Sequence, residues 1–217
     1  MPGSSAYQNL FEISSLKLDH FKFREQRDLN DGWTQDLPAT LKRFWDEFNA
    51  WFYSAELAEA VLDSFAEPMQ ARFGDKSSWP QVSVEAQLIR HKAGYFLQPH
   101  SDLHTKLIVL MIYLPADESI EHLGTSLYRS KDPDFTCAKS LHHPYEHFIK
   151  VKTAPYKPNS LLAFERSDRS FHGVEPTCPK DFSHSHRDLI QYVIYDKTAR
   201  EPQLQERRLN AAREAAK

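Results

Sequence analysis

Two short segments of the sequence carry side chains that could hold a metal ion. The first is His100-Ser101-Asp102, in which one residue separates an imidazole from a carboxylate. Side chains two positions apart in an extended strand point to the same face, so both could reach one ion. The second is His172-Gly173-Val174-Glu175-Pro176. Its histidine could supply a third ligand if the two strands lie close together in a barrel.

Three ligands of this kind suit one class of metal centre. Two histidines and one carboxylate on one face of an ion leave the opposite face open, which is the facial triad of non-haem Fe(II) oxygenases. Taken alone, the His-x-Asp pattern is short and built from common residues, and a turn with two polar side chains explains it better. The surrounding sequence has to decide between these interpretations.

An arginine near the end of the chain is the next chemical feature. Arg187 opens an alternating strand, and its same-face neighbours are Leu189, Gln191, Val193 and Tyr195. If this face lines a barrel, the guanidinium needs an anion, because an unpaired buried charge costs several kcal/mol or more. A co-substrate carboxylate could bind it through two parallel hydrogen bonds. Tyr113 could donate to the same carboxylate, or it could be a core tyrosine bonded to a backbone carbonyl.

Hydrophobic periodicity predicts the elements that would position these residues. Between residues 38 and 65, apolar side chains recur every three or four positions, which predicts helices packed on a sheet, and Pro68 and Gly74 mark the end of the helical region. Eight short β-like runs follow, at 82–91, 95–98, 106–114, 125–128, 148–153, 160–164, 171–174 and 188–195. In the run 106–114, most residues at both odd and even positions are apolar, which predicts a central strand covered on both faces.

Helices followed by many strands without helical crossovers predict a mainly β fold. The expected architecture has N-terminal helices and a double-stranded β-helix core, a jelly roll of the cupin type. At 217 residues we expect a single domain, 1–217. It would consist of a helical N-terminal support region (1–80), the catalytic core (81–197) and a C-terminal helix (198–217).

Composition and charge exclude several classes of protein. Lys and Arg number 27 against 30 Asp and Glu, for a net charge of -3, and without a long basic run we expect no nucleic acid partner. The longest apolar run is far shorter than the roughly 20 residues of a membrane span, and no basic-then-apolar signal opens the chain, so we expect a cytoplasmic protein without a membrane partner. Two cysteines exclude a disulfide scaffold and a cysteine-rich zinc module.

From residue 89 to residue 196, about half of the chain, the sequence resembles the Fe(II)/2-oxoglutarate-dependent dioxygenases, and most closely their prolyl-4-hydroxylase-like branch. Five motifs occur in the order of that family. They are Gly94-Tyr95-Phe96-Leu97-Gln98-Pro99-His100-Ser101-Asp102, Tyr113-Leu114-Pro115, Gly124-Thr125-Ser126-Leu127-Tyr128, His172-Gly173-Val174-Glu175-Pro176 and the closing strand 187–196.

The resemblance implies roles for five residues. His100, Asp102 and His172 would hold Fe(II), and Arg187 with Tyr113 would bind the C5 carboxylate of 2-oxoglutarate. With O2, such an enzyme would hydroxylate an unactivated C–H bond. Halogenases of the family lack the carboxylate ligand, so the resemblance implies hydroxylation rather than halogenation.

The sequence departs from the family pattern at two places. Arg187 follows the distal histidine by 15 residues, with the inserted loop 177–186 between them. Arg90, followed by His91, stands where the family often has a tyrosine, which leaves the contacts to the C1 carboxylate and the substrate unassigned. Further basic residues near strand ends could meet an anionic substrate or be ordinary rim charges; these are Lys106, Arg129, Arg166 and Arg169.

The short N-terminal region favours a small-molecule substrate, either an amino acid or a secondary metabolite. The alternative within the family is a hydroxylase of peptide or protein side chains. A cupin-type metal enzyme without 2-oxoglutarate, or a metal-binding module without activity, is disfavoured by the His-x-Asp pattern and by Arg187. The other histidines are expected in solvated loops or at strand edges; these are His104, His122, His142, His143, His147, His184 and His186. The sequence leaves the oligomeric state open.

Overall fold

The computed structural model describes residues 10–12, 19–30, 32–177, 180, 186–202 and 204–205, which contain two antiparallel sheets. The larger sheet has the strand order β1 (Asp19–Phe21), β2 (Arg24–Asp28), β3 (Val82–Lys92), β10 (His186–Asp196), β5 (Lys106–Tyr113) and β8 (Leu161–Glu165). The smaller sheet has the order β4 (Leu97–His100), β9 (His172–Val174), β6 (Ser126–Ser130) and β7 (Phe148–Thr153).

Three helices pack on the larger sheet: α1 (Ala39–Phe52), α2 (Ala55–Ser64) and α3 (Ala66–Phe73). The Phe52 ring of α1 meets Tyr192 of β10 edge-on, with the ring centroids 4.9 Å apart. Gly74 ends α3 with a φ of +80°, as the sequence predicts. Pro68 does not end a helix, because it lies in the first turn of α3, where the backbone N–H that proline lacks has no helical partner.

Strand β10 separates two hydrophobic cores. Ile190, Tyr192 and Ile194 belong to the core shared with the helices, whereas Leu189 and Val193 belong to a second core between the sheets. This alternation agrees with the two faces predicted for the strand. β5 lies between β10 and β8 and is buried along most of its length, so the prediction of a covered central strand is confirmed.

All eight predicted strands are present as β3 to β10, with ends shifted by a few residues. The strands β1 and β2 were not predicted, because the sequence of β2, Arg-Glu-Gln-Arg-Asp, has no apolar alternation. Residues 197–202 and 204–205 are helical, and the rest of the predicted C-terminal helix lies outside the described residues. None of the helices that the structure describes has the length and apolar character needed to cross a bilayer.

A buried ion pair joins β3 to β10 on the helix-facing side of the sheet. Arg90 donates from Nε and Nη2 to the two carboxylate oxygens of Asp188, each over 2.8 Å. Arg90 also lies over the Phe11 ring, 4.3 Å from its centroid. The pair occupies directly opposite positions of the two strands, so it fixes their register from one face.

We expect Arg90→Met to destabilise the protein by about 3–5 kcal/mol, because it leaves the Asp188 carboxylate buried without its main partner. The free energy of unfolding in urea measures the loss. Arg43→Met is the matched control, since the Arg43–Glu47 pair of α1 is largely exposed and should contribute less than about 1 kcal/mol. Equal losses in the two variants would contradict the structural role of the buried pair.

Candidate metal centre and adjoining cavity

Three predicted metal ligands lie together where β4 meets β9. His100 ends β4, His172 begins β9, and the two residues are register partners. The ligand atoms of His100, Asp102 and His172 all lie within 4.8 Å of one another, and all three residues are buried. Gly173 permits the close approach of the strands, because a Cβ at this position would lie 2.4 Å from the carbonyl oxygen of Leu97.

The two imidazoles are oriented by backbone carbonyl groups. Nδ1 of His100 lies 3.0 Å from the carbonyl oxygen of Gln98, and Nδ1 of His172 lies 3.1 Å from that of Ser170. A carbonyl oxygen only accepts, so each Nδ1 carries the hydrogen and each Nε2 keeps a free lone pair. Burial, followed by the neighbouring His172, lowers the pKa of His100 to about 3. Burial also lowers the pKa of His172, so both rings are neutral.

The carboxylate of Asp102 is held on one side and open on the other. Its Oδ1 accepts a hydrogen bond from Lys106 Nζ over 2.6 Å. Its Oδ2 is buried and lies 3.6 Å from His172 Nε2, without a hydrogen-bond partner among the described residues. Burial alone would raise the pKa of Asp102, but the charge and the hydrogen bond of Lys106 hold it below its ordinary value. This ionised oxygen and two free imidazole nitrogens fit a divalent transition metal.

A second cluster of polar and aromatic side chains surrounds Arg187, which is only 1% exposed. Its Nη1 lies 2.8 Å from His91 Nδ1, and its Nη2 donates to Thr125 Oγ1 over 3.2 Å. The guanidinium lies over the rings of Tyr113 and Tyr156, 5.4 and 5.3 Å from their centroids. Its Nε has no partner, and Arg187 forms no ion pair, within the part of the chain that the structure describes. The predicted buried cation is therefore present, and none of the described carboxylates pairs with it.

Two tyrosines support this arginine. The hydroxyl of Tyr113, which the sequence analysis singled out, accepts the backbone N–H of Thr125 over 3.2 Å. The hydroxyl of Tyr156 donates to the backbone oxygen of Asp188 and accepts its N–H, both over 2.7 Å. Tyr156 was missed because it lies between strands, where no periodic pattern marks it.

His91, which follows Arg90 in the sequence, could not be given a role from the sequence. It is the register partner of Arg187, and its ring stacks on Tyr95 with the centroids 3.6 Å apart. Burial, and then the charges of Arg187 and Arg24, lower the pKa of His91 well below its ordinary value. Arginine can only donate, so Nδ1 accepts and the hydrogen lies on Nε2. No described residue bonds to Nε2.

One cavity extends from the arginine to His172, one of the three candidate metal ligands. Its lining includes Arg187, His91 and Thr125 together with His172. Most of the remaining lining is apolar and comes from both sheets: Ile89, Leu97, Met111, Val174 and Leu189. The cavity has a volume of about 40 Å³ and lies between His172 and the guanidinium, so a ligand that spanned it would contact both.

The structure separates the other basic residues into two groups. Lys106 and Arg166 face inward, since Lys106 binds the Asp102 carboxylate and Arg166 Nε donates to the Asp102 backbone oxygen over 3.0 Å. Arg129 and Arg169 line a surface pocket.

Most of the remaining histidines lie at the surface, and four of them are exposed: His104, His122, His142 and His147. His143 is half-buried. His186 is also half-buried, and its Nε2 lies 3.0 Å from Arg90 Nη2. His184 lies outside the described residues.

No family model and no curated protein matches this chain. Solved structures do match it over most of its length. HygX from Streptomyces hygroscopicus, solved with nickel, 2-oxoglutarate and hygromycin B bound, aligns over 91% of this chain and 80% of its own, with 10% identity and a TM-score of 0.50. A Pseudomonas putida prolyl-4-hydroxylase aligns over 91% and 89%, with 12% identity and a TM-score of 0.49. A Burkholderia pseudomallei oxidoreductase of the 2OG-Fe(II) oxygenase family aligns over 90% and 82%, with 11% identity and a TM-score of 0.49.

The chain has the fold of the 2OG-Fe(II) oxygenases. The predicted jelly-roll class is thereby confirmed, and so is the resemblance, at the level of the fold. At this low identity the roles of individual residues have to be argued from their own contacts.

Acid should destabilise the metal-free protein through its buried histidines. In the unfolded chain His91 titrates near pH 6.5, whereas in the folded protein its pKa is lower. Unfolding therefore takes up a proton below pH 6.5, and the free energy of unfolding decreases as the pH is lowered. Each such histidine contributes a slope of about 1.4 kcal/mol per pH unit. We expect His91→Gln to make the stability–pH slope between pH 6.5 and 5 shallower by about this amount, measured by urea unfolding with a chelator present.

The control for this measurement is His122→Gln, at an exposed position, which should keep the wild-type slope. The same slope in all three proteins would show that His91 does not remain neutral on folding.

Proposed function

We propose that this protein is an Fe(II)- and 2-oxoglutarate-dependent dioxygenase that hydroxylates an unactivated C–H bond of a small molecule. One observation carries the proposal: a single cavity extends from His172 of the buried His-Asp-His cluster to a buried arginine that has no carboxylate partner among the described residues. A dicarboxylate whose 2-oxo acid end chelates a metal fits both features. HygX, of the same fold, has nickel and 2-oxoglutarate bound.

In the proposed metal centre His100, Asp102 and His172 bind Fe(II). The iron with its co-substrate supplies the O2 chemistry. The protein's contribution is to present two neutral imidazoles and one ionised carboxylate oxygen without rearrangement. Two hydrogen bonds orient Asp102: Lys106 donates to its carboxylate, and Arg166 donates to its backbone oxygen.

Arg187 binds the distal C5 carboxylate of the co-substrate. Its charge supplies the main attraction, and Thr125 and the Tyr113 hydroxyl lie beside it. The Nε2–H of His91 is a further donor in the same cavity. The walls of the cavity are largely apolar, and hydrogen bonds are stronger in such a low-dielectric environment.

A small molecule is the proposed primary substrate. Hygromycin B in HygX is a bound small molecule on the same fold, which supports this class. A hydroxylase of protein side chains would use the same metal centre and co-substrate. A succinate-release screen with amino acids, peptides and metabolites, in the presence of Fe(II) and 2-oxoglutarate, distinguishes the two substrate classes.

Removing one metal ligand tests the proposed centre. We expect His172→Ala to lose Fe(II) binding and 2-oxoglutarate turnover while it remains folded, because two remaining ligands cannot complete the triad. Anaerobic metal titration measures the affinity. His122→Ala changes an exposed histidine and should bind as the wild type does. Wild-type metal affinity in His172→Ala would refute the assignment.

The arginine is tested by the affinity for the co-substrate. Losing a charge-assisted bidentate pair costs about 2–5 kcal/mol, so we expect Arg187→Ala to weaken 2-oxoglutarate binding by about thirty-fold or more. Tyr113→Phe should weaken it by about five-fold, since one hydrogen bond contributes about 1 kcal/mol. Titration of 2-oxoglutarate into the nickel-loaded protein measures both, and metal affinity is the control. Unchanged 2-oxoglutarate binding in Arg187→Ala would remove the co-substrate from the proposal.

A further inference from the structure

We infer that the primary substrate carries an anionic group, and that Arg24 binds it. The inference rests on the proposed function and extends it to the class of substrate. Arg24 is the first residue of β2, a strand that the sequence did not predict, and its register partner is His91 of β3. Its side chain lines the same cavity as Arg187 and His172.

The guanidinium of Arg24 is poorly satisfied by the protein. Its Nη2 donates only to Gln87 Oε1, over 3.4 Å, and its buried Nε has no hydrogen-bond partner in the described ranges. Gln87 donates in turn to Asp28, but no ion pair joins Arg24 to Asp28 or to another described carboxylate. Glu25, the adjacent residue, pairs with Lys92 instead. Arg24 is therefore a cation at the cavity for which the described residues provide no counter-charge.

Charge balance indicates that 2-oxoglutarate does not provide the counter-charge of Arg24 either. The described lining of the cavity contains two arginines and no carboxylate. The charge of Asp102 is matched by Lys106. A ferrous ion, Arg187 and a 2-oxoglutarate dianion then leave the site net positive before Arg24 is counted. An anionic substrate would complete the balance.

The two arginines enter the cavity from opposite sides of β3. Arg24, His91 and Arg187 are register partners on three adjacent strands, so the backbones of the two arginines are about 10 Å apart. The co-substrate has one carboxylate at the metal and one at Arg187, which leaves none for Arg24. A planar guanidinium with a free Nε suits a carboxylate or a phosphate, because either oxyanion accepts two parallel hydrogen bonds.

The experiment first separates Arg24 from the co-substrate. Titration of 2-oxoglutarate into the nickel-loaded protein should give Arg24→Gln an affinity within about two-fold of wild type, whereas Arg187→Gln should lose about thirty-fold or more. Arg43→Gln, on the exposed face of α1, controls for a general loss of positive charge. An equal loss in Arg24→Gln and Arg187→Gln would assign Arg24 to the co-substrate and overturn the inference. If the wild type bound no 2-oxoglutarate, the proposed function would fail, and the inference with it.

The second measurement identifies the anion. Probes are matched sets of N-acyl amino acids, their primary amides, and phosphate monoesters with their parent alcohols, offered to the protein loaded with nickel and 2-oxoglutarate. We expect ligand-observed NMR to show at least ten-fold tighter binding of the acids or of the phosphates than of their neutral partners. Arg24→Gln should abolish this preference and Arg24→Lys should retain part of it. Equal or absent binding of charged and neutral probes, or a preference that survives in Arg24→Gln, would overturn the inference.

Discussion

The antiparallel register of β3 with β10 is the constraint on which the proposed site depends. It places Arg187 opposite His91 and Asp188 opposite Arg90. Because side chains alternate between the faces of a strand, a shift of one residue would exchange the two pairs between the faces of the sheet. The guanidinium of Arg187 would then face the helices, and the cavity would lose one of its two arginines. The register therefore decides whether Arg187 faces the cavity, where the proposed co-substrate would bind.

Buried charged groups are paired on the helix side of the larger sheet but incompletely paired on the cavity side, among the described residues. On the helix side Arg90 and Asp188 satisfy each other through two hydrogen bonds. On the cavity side, polar atoms are left without partners among the described residues: Oδ2 of Asp102, Nε2 of His91, and Nε of Arg187 and Arg24. Unsatisfied buried polar atoms cost stability, and a group of them is expected at a functional site. Isolated ones occur elsewhere among the described residues, such as the Tyr192 hydroxyl on the helix side. The four on the cavity side all belong to the metal cluster or to the cavity beside it.

Sequence reasoning reached the parts of the fold that periodicity encodes. The eight core strands were predicted because their apolar residues alternate or run continuously. The alternation in 187–195 grouped Arg187 with Leu189 and Val193 on one face, and the structure shows that this face is the inner one. The pairing of His100 with His172 followed from the motif order rather than from a physical pattern. β2 could not be found, because four of its five residues are charged and none is apolar. His91 was noticed but not placed, because its role depends on register with β10, which a single strand does not reveal.

Arg187 is held in place before any ligand arrives, and this bears on how strongly the cavity can bind an anion. The next residue, Asp188, is held by both its side chain and its backbone. Arg90 binds the side chain, and the Tyr156 hydroxyl binds the backbone N–H and oxygen. His91, clamped against Tyr95, and Thr125 then fix the guanidinium itself. A ligand therefore does not have to order the arginine, and the side-chain entropy that binding usually costs is already lost on folding. The pairs that stabilise the register thus also preorganise the anion site, although they lie on the opposite face of the sheet.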